Sequence, residues 1–241
     1  MKVSRRRPGG VDSAAGCETA HMVDLDPRTV EPGSLPSAPA RALAACGIVG
    51  VVGFVAAWTL GAGLVDGYSS VDDAISQLAA VGSPARAVMT GGFVAFGVGV
   101  PLFAQALRRV LPGPAWIAAT VSGLATLGVA ATPLGRYDTA HYVFATLGYV
   151  ALAATPLLAS RTLRRAGAGR AANWSVVCGV LTALLLAASA ADPGHGLTQR
   201  LGLGVTDLWI VLAAVAIIRG GLPVSGRTAG AVTAAVPSGE L

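Results

Sequence analysis

Six long apolar runs, separated by short polar connectors, constrain this chain more than any other feature. They fall at about residues 42–65, 87–107, 112–133, 139–160, 173–191 and 201–218. Crossing a bilayer takes about 20 mainly apolar residues, and each run is close to that length or beyond it. Charged residues are 12% of the chain, about half the share of an ordinary soluble domain. The mean hydropathy is +0.66. Too few charges are present to cover a soluble surface.

Lipid offers no partner for backbone N–H and C=O groups, so each crossing must satisfy its own, and a barrel would show weak alternating runs of about ten residues instead. The expected fold is therefore all-α: an integral membrane bundle of six transmembrane helices over residues 41–220. The short connectors make consecutive helices antiparallel neighbours. Residues 1–40 carry several Arg and acids with Pro and Gly at high density, residues 221–241 are rich in Gly and Ala, and both are expected to be disordered cytoplasmic tails. No apolar stretch follows Arg7, so no cleavable signal peptide is expected at the start. Abundant Gly and Ala allow close helix packing. Gly47, Gly50 and Gly53 are expected to mark such contact within the bundle.

Basic residues set the orientation. With both termini in the cytoplasm, Lys2, Arg5, Arg6, Arg7, Arg28, Arg41, Arg108, Arg109, Arg161, Arg164, Arg165, Arg170, Arg219 and Arg227 lie inside, and only Arg86, Arg136 and Arg200 lie outside. That asymmetry follows the positive-inside rule. The same scatter along connectors excludes a nucleic-acid-binding stripe. Cys17, Cys46 and Cys178 form no CxxC or Cys/His ligand spacing, so neither a disulfide framework nor a structural zinc site is expected.

In this orientation the acids and histidines of the connectors gather on the outer side. The polar-pocket candidates are Asp72, Asp138, His141, His195, Gln199, Arg200 and Asp207. Asp138 and His141 are three apart and share a helix face. Asp207 is expected about two turns into the sixth helix, roughly 9 Å from its outer end. An ionised carboxylate there is costly, so it is expected to pair with Arg200, Arg136 or His141. Structural roles compete: Asp138 and Asp192 also suit capping or turn positions. The stretch Ala74–Val81 reads as a short amphipathic helix over the mouth, stopped by Gly82-Ser83-Pro84.

The chain resembles the bacterial and archaeal membrane family called domain of unknown function 998. The resemblance covers about residues 42–220. It rests on Tyr68-Ser69-Ser70 through Ile75-Ser76-Gln77-Leu78, on Gly82-Ser83-Pro84-Ala85, and on Asp138 with His141. Pro156, Gly196-Leu197-Thr198-Gln199-Arg200 and Trp209 complete it. The family pattern often carries an acid where this chain has Gln77. The resemblance implies a multi-pass protein of the bacterial plasma membrane and names no activity.

Three functions remain open. The first is a non-enzymatic protein whose outer pocket binds a small solute or lipid headgroup. The second is a metal-dependent intramembrane lipid hydrolase, with Asp138, His141 and His195 as the metal candidates, since catalytic zinc accepts two His and a carboxylate. Here the bundle is similar in outline to the ceramidase and progestin-receptor superfamily, but the sixth helix lacks H-x-x-x-H. The third is an accessory or sensory subunit. Membrane lipid is the expected partner, no cofactor is expected, and the sequence names no small-molecule or protein partner.

Overall fold

A computed structural model describes residues 36–191 and 196–221. The expected tails lie almost wholly outside these residues, as do Cys17, Asp192 and His195. Six α-helices follow one another: α1 Ala38–Ala62, α2 Arg86–Val110, α3 Ala115–Ala131, α4 Asp138–Arg165, α5 Gly169–Ala191 and α6 Gly196–Ile218. Among the described residues there is no strand. Between α1 and α2 a short 3-10 helix, Ile75–Ala79, buries Ile75, Leu78 and Ala79 on the bundle. It is called the roof below.

Five helices are long and apolar enough to cross a membrane, and α3 is a shorter apolar helix. At 17 residues α3 spans about 25 Å. Its run was expected to be helical from 112 to 133, but Pro114 and Pro133 confine it, because a proline restrains the residue before it and cannot continue the ladder. Other boundaries also move. α1 begins at Ala38, inside the expected tail, and α4 runs on to Arg165. α6 begins at Gly196 rather than 201. Gln199 and Arg200 therefore belong to the first turn and a half of α6 and not to a connector.

Each helix packs on its chain neighbours, and α6 closes the ring against α1. The bundle is arranged for lipid. Val49, Val98, Leu124, Val150, Leu184 and Leu208 point outward, whereas Ser122, His141, Thr155, Ser175, Thr182, Gln199, Thr206 and Asp207 are buried. A soluble protein has the reverse pattern. This is a multi-pass integral membrane protein.

The α1–α2 seam is the closest in the bundle. A methyl group built on Gly99 would lie 2.5 Å from the Cys46 carbonyl oxygen and 2.8 Å from Gly50 Cα. Two backbones meet there with no side chain between, as small-residue helix contacts in membranes do. Gly47 faces Phe103 and Gly53 faces Ala95, so Gly47, Gly50 and Gly53 all meet α2.

Candidate functional site

The two ends of the bundle differ. At one end lie Arg41, Arg108, Arg109, Arg161, Arg164, Arg165, Arg170 and Arg219. At the other lie the roof and the connectors 63–85 and 132–137, with only Arg86, Arg136 and Arg200. The site is built at the roof end.

Arg200 ties the first connector to α6. Its guanidinium donates to the Asp73 carbonyl at 2.9 Å, to the Gly196 carbonyl at 3.0 Å and to the Tyr68 hydroxyl. It also lies over the Tyr68 ring, 5.6 Å from its centre. The Tyr68 hydroxyl donates in turn to the Ala74 carbonyl at 3.1 Å. Burial pushes the Tyr68 pKa up, and the Arg200 charge opposes that shift. The Leu197 amide donates to the Val71 carbonyl at 2.8 Å. On the far side, the Val81 amide donates to the Leu134 carbonyl at 3.0 Å. The roof is thus fastened to α6 on one side and to the α3–α4 connector on the other.

Beneath it is a cavity of about 410 Å³, walled by side chains from all six helices and by Ala74–Gln77 above. Its wall is mainly aromatic and aliphatic: Phe54, Phe93, Phe96, Phe144, Leu152 and Leu203. Polar side chains interrupt this wall at several points. Gln199 Oε1 accepts from the Ile75 amide at 2.8 Å, and its Nε2 donates to the Tyr149 hydroxyl at 2.5 Å. Gln199 therefore joins roof, α6 and α4 through one amide. His141 Nδ1 lies 2.7 Å from the Thr132 carbonyl oxygen at the end of α3. A carbonyl only accepts, so Nδ1 carries the hydrogen, and Nε2 of the neutral ring is an acceptor. Ser122 and Thr126 add hydroxyls from α3, and Ser76, Gln77, Tyr142, Thr146 and Ser189 line the cavity as well. Among the described residues, no Asp, Glu, Lys or Arg lines the cavity.

Of the residues expected to form the pocket, the structure brings together His141 and Gln199. Arg200 fastens the roof instead of lining the cavity. Asp72 is exposed and accepts from the Ser69 hydroxyl at 2.6 Å. Asp138 is exposed, and its Oδ1 accepts from the Gly135 amide at 2.6 Å, closing the turn before α4. His195 lies outside the described residues. Among those residues, no three His, Cys, Asp or Glu side chains gather as a metal site would require.

Asp207 departs most from expectation. Because α6 starts at Gly196, Asp207 is eleven residues in, about 16 Å along the axis, near the middle of the helix. It is 3% exposed, and among the described residues neither carboxyl oxygen has a hydrogen-bond partner. The expected pairing with Arg200, Arg136 or His141 is not made. Arg200 is held at the roof, Arg136 lies over the Tyr137 ring and His141 is bonded to Thr132. Beside Asp207, Thr206 shares a 2.6 Å hydrogen bond with Thr182 of α5, and Trp209 donates to Ser175 at 2.9 Å.

Sequence reasoning missed Tyr68, Ser122 and Tyr149, and also the aromatic floor. Hydroxyls within otherwise apolar runs were the available signal for Ser122 and Tyr149. Helix phase alone does not tell which of them turn inward.

The model of the family described as Protein of unknown function (DUF998) matches residues 48–216. That is well over half of the chain, and it includes the roof and every described residue of the cavity wall. No curated protein and no solved structure matches this chain.

Proposed function

This chain belongs to the family of unknown function DUF998, and on that premise we propose that it binds a small molecule in the cavity under the roof. One observation carries the reading: a space of about 410 Å³ reached by all six helices at the one end where the connectors are hydrogen-bonded into a cover. Ligand pockets span about 300–1,000 Å³, with mostly apolar walls and a few placed polar groups. The wall of Phe, Leu and Val with His141, Ser122, Tyr149 and Gln199 has that composition.

We further propose that the roof end faces outward. Eight arginines at the opposite end against three here, counted over the described residues named above, support the orientation that the positive-inside rule assigns. The ligand would then be taken from, or presented to, the outer leaflet or the space beyond it.

Native mass spectrometry of the full chain released from its own membrane tests the reading. Wild-type protein is expected to carry a non-protein mass, and Ala145→Phe, which fills the cavity from α4, is expected to carry none. An identical bound mass on both proteins, or none on either, would overturn the proposal.

A further inference from the structure

The cavity also specifies what kind of molecule it takes. This inference rests on the binding reading above and deepens it. Three observations converge.

First, among the described residues the wall holds no formal charge. An ion moved into such a space leaves its hydration without a counter-charge, which costs far more than a neutral group does. Anionic and zwitterionic headgroups are therefore poor occupants.

Second, the wall presents an open acceptor. His141 is 2% exposed and its Nδ1 is held by Thr132. Among the described residues its Nε2 has no partner, and it is not sealed in the protein interior, so it opens on the cavity that the ring lines. An occupant without a donor would displace water from that acceptor and leave it bare, which is unfavourable by about 1–3 kcal/mol, so an occupant that supplies an O–H or N–H is favoured there. The Tyr149 hydroxyl, which accepts from Gln199, keeps its own hydrogen to donate. A hydroxyl group, which both donates and accepts, suits this wall.

Third, the cavity reaches the outer surface of the bundle. Tyr142 and Thr146 of α4 and Ala190 of α5 line it and are exposed, with Ser189 half-buried beside them. The opening lies between α4 and α5 near the roof end, at the level of the first turns of α4. A molecule already dissolved in the bilayer reaches it sideways, leaving the roof bonds intact.

We propose that the occupant is an uncharged amphiphile bearing a hydroxyl group, admitted from the bilayer between α4 and α5. Its hydroxyl donates to His141 Nε2, and its apolar body lies among Phe54, Phe93 and Phe96. A water molecule takes about 30 Å³ of liquid. If each non-hydrogen atom needs a similar share, the volume admits roughly a dozen of them, a medium-chain alcohol or a compact ring system.

Photoaffinity labelling of the full chain in lipid nanodiscs tests this with three matched diazirine probes: a medium-chain alcohol, its methyl ether and the corresponding carboxylate. The alcohol is expected to label cavity-wall peptides, to be displaced by excess 1-decanol, and to label at least about tenfold more strongly than either other probe. In His141→Phe the preference of alcohol over ether is expected to vanish while ether labelling persists. Equal labelling of the wild-type cavity by alcohol and ether would overturn the hydroxyl assignment and leave the binding reading standing. Preference for the carboxylate would overturn the uncharged assignment. Absence of displaceable labelling inside the cavity by any probe would bring down the binding reading itself. If His141→Phe fails to fold, the three-probe comparison on wild type still decides.

Discussion

Replacing Gly99 by Ala drives a methyl group into the backbone of α1. The new carbon would sit 2.5 Å from the Cys46 oxygen and 2.8 Å from Gly50 Cα, where ordinary contact begins at 3.4 Å. Neither atom belongs to a side chain that can rotate away, so the helices must part by about 0.9 Å along the seam. A gap of that size forfeits about a quarter to a half of the dispersion energy at each contact it opens. Overpacking of this kind costs about 1–3 kcal/mol. Gly91, on the exposed face of the same helix, is the control: a methyl group there meets nothing within 4 Å. Gly91→Ala removes the conformational freedom of a helical glycine and gains about 0.5–1 kcal/mol. Gly99→Ala makes the same gain, so the two variants are expected to differ by the overpacking cost, about 1–3 kcal/mol, Gly99→Ala being the weaker. Equilibrium unfolding in mixed detergent micelles, followed by helical circular dichroism, measures the difference. Equal stability, or a more stable Gly99→Ala, would refute the backbone-to-backbone packing of α1 on α2.

Three further outcomes are expected. Gln199→Leu leaves the buried Ile75 amide without its acceptor and loosens the roof by about 1–3 kcal/mol; amide hydrogen exchange at Ile75 is expected to quicken, and unchanged exchange would contradict the role of Gln199 as the roof's anchor. Tyr68 has a folded-state pKa raised by burial, so its contribution to stability is complete below the unfolded tyrosine value of about 10 and is lost as pH rises through the higher folded value. Alkaline unfolding curves are expected to be flatter for Tyr68→Phe than for wild type above that pH, and identical curves would show that the hydroxyl is not buried against Arg200. Asp207→Leu replaces a carboxyl that lacks partners by a side chain that needs none, and is expected to raise thermal stability by about 1–3 kcal/mol. A marked loss of stability would show that the carboxyl has a partner in the native membrane.

The fold was legible because lipid imposes two simple rules, one on length and one on backbone hydrogen bonding. Apolar runs of about twenty residues, only the sixth of them holding an acid, could only be helices, and short connectors could only make them antiparallel neighbours. Boundaries were less legible where polar residues continue a helix beyond the apolar core. Gly196–Arg200 was assigned to a connector on polarity, yet it forms the start of α6 and places Asp207 about a turn and a half deeper in the helix. The site was legible in its location and only partly in its membership. His141 and Gln199 stood out as polar residues near helix ends, and both line the cavity. Asp72, Asp138 and Arg200 stood out for the same reason but serve turns and the roof, because a polar residue at a helix end has backbone partners within reach. Tyr149, Ser122 and the three phenylalanines were hidden, since which face of an apolar helix turns inward depends on its neighbours and not on its own composition.

The central claim is that this chain threads the membrane with its covered cavity outward and its arginines inward. Single cysteines placed in a chain whose native Cys17, Cys46 and Cys178 are replaced by Ala test it on intact cells. Val71, 55% exposed beside the roof, and Ala166, exposed between α4 and α5, are the positions to change. A membrane-impermeant maleimide is expected to label Val71→Cys on intact cells and Ala166→Cys only after the membrane is opened. Labelling of Ala166→Cys on intact cells, with Val71→Cys protected, would contradict the account.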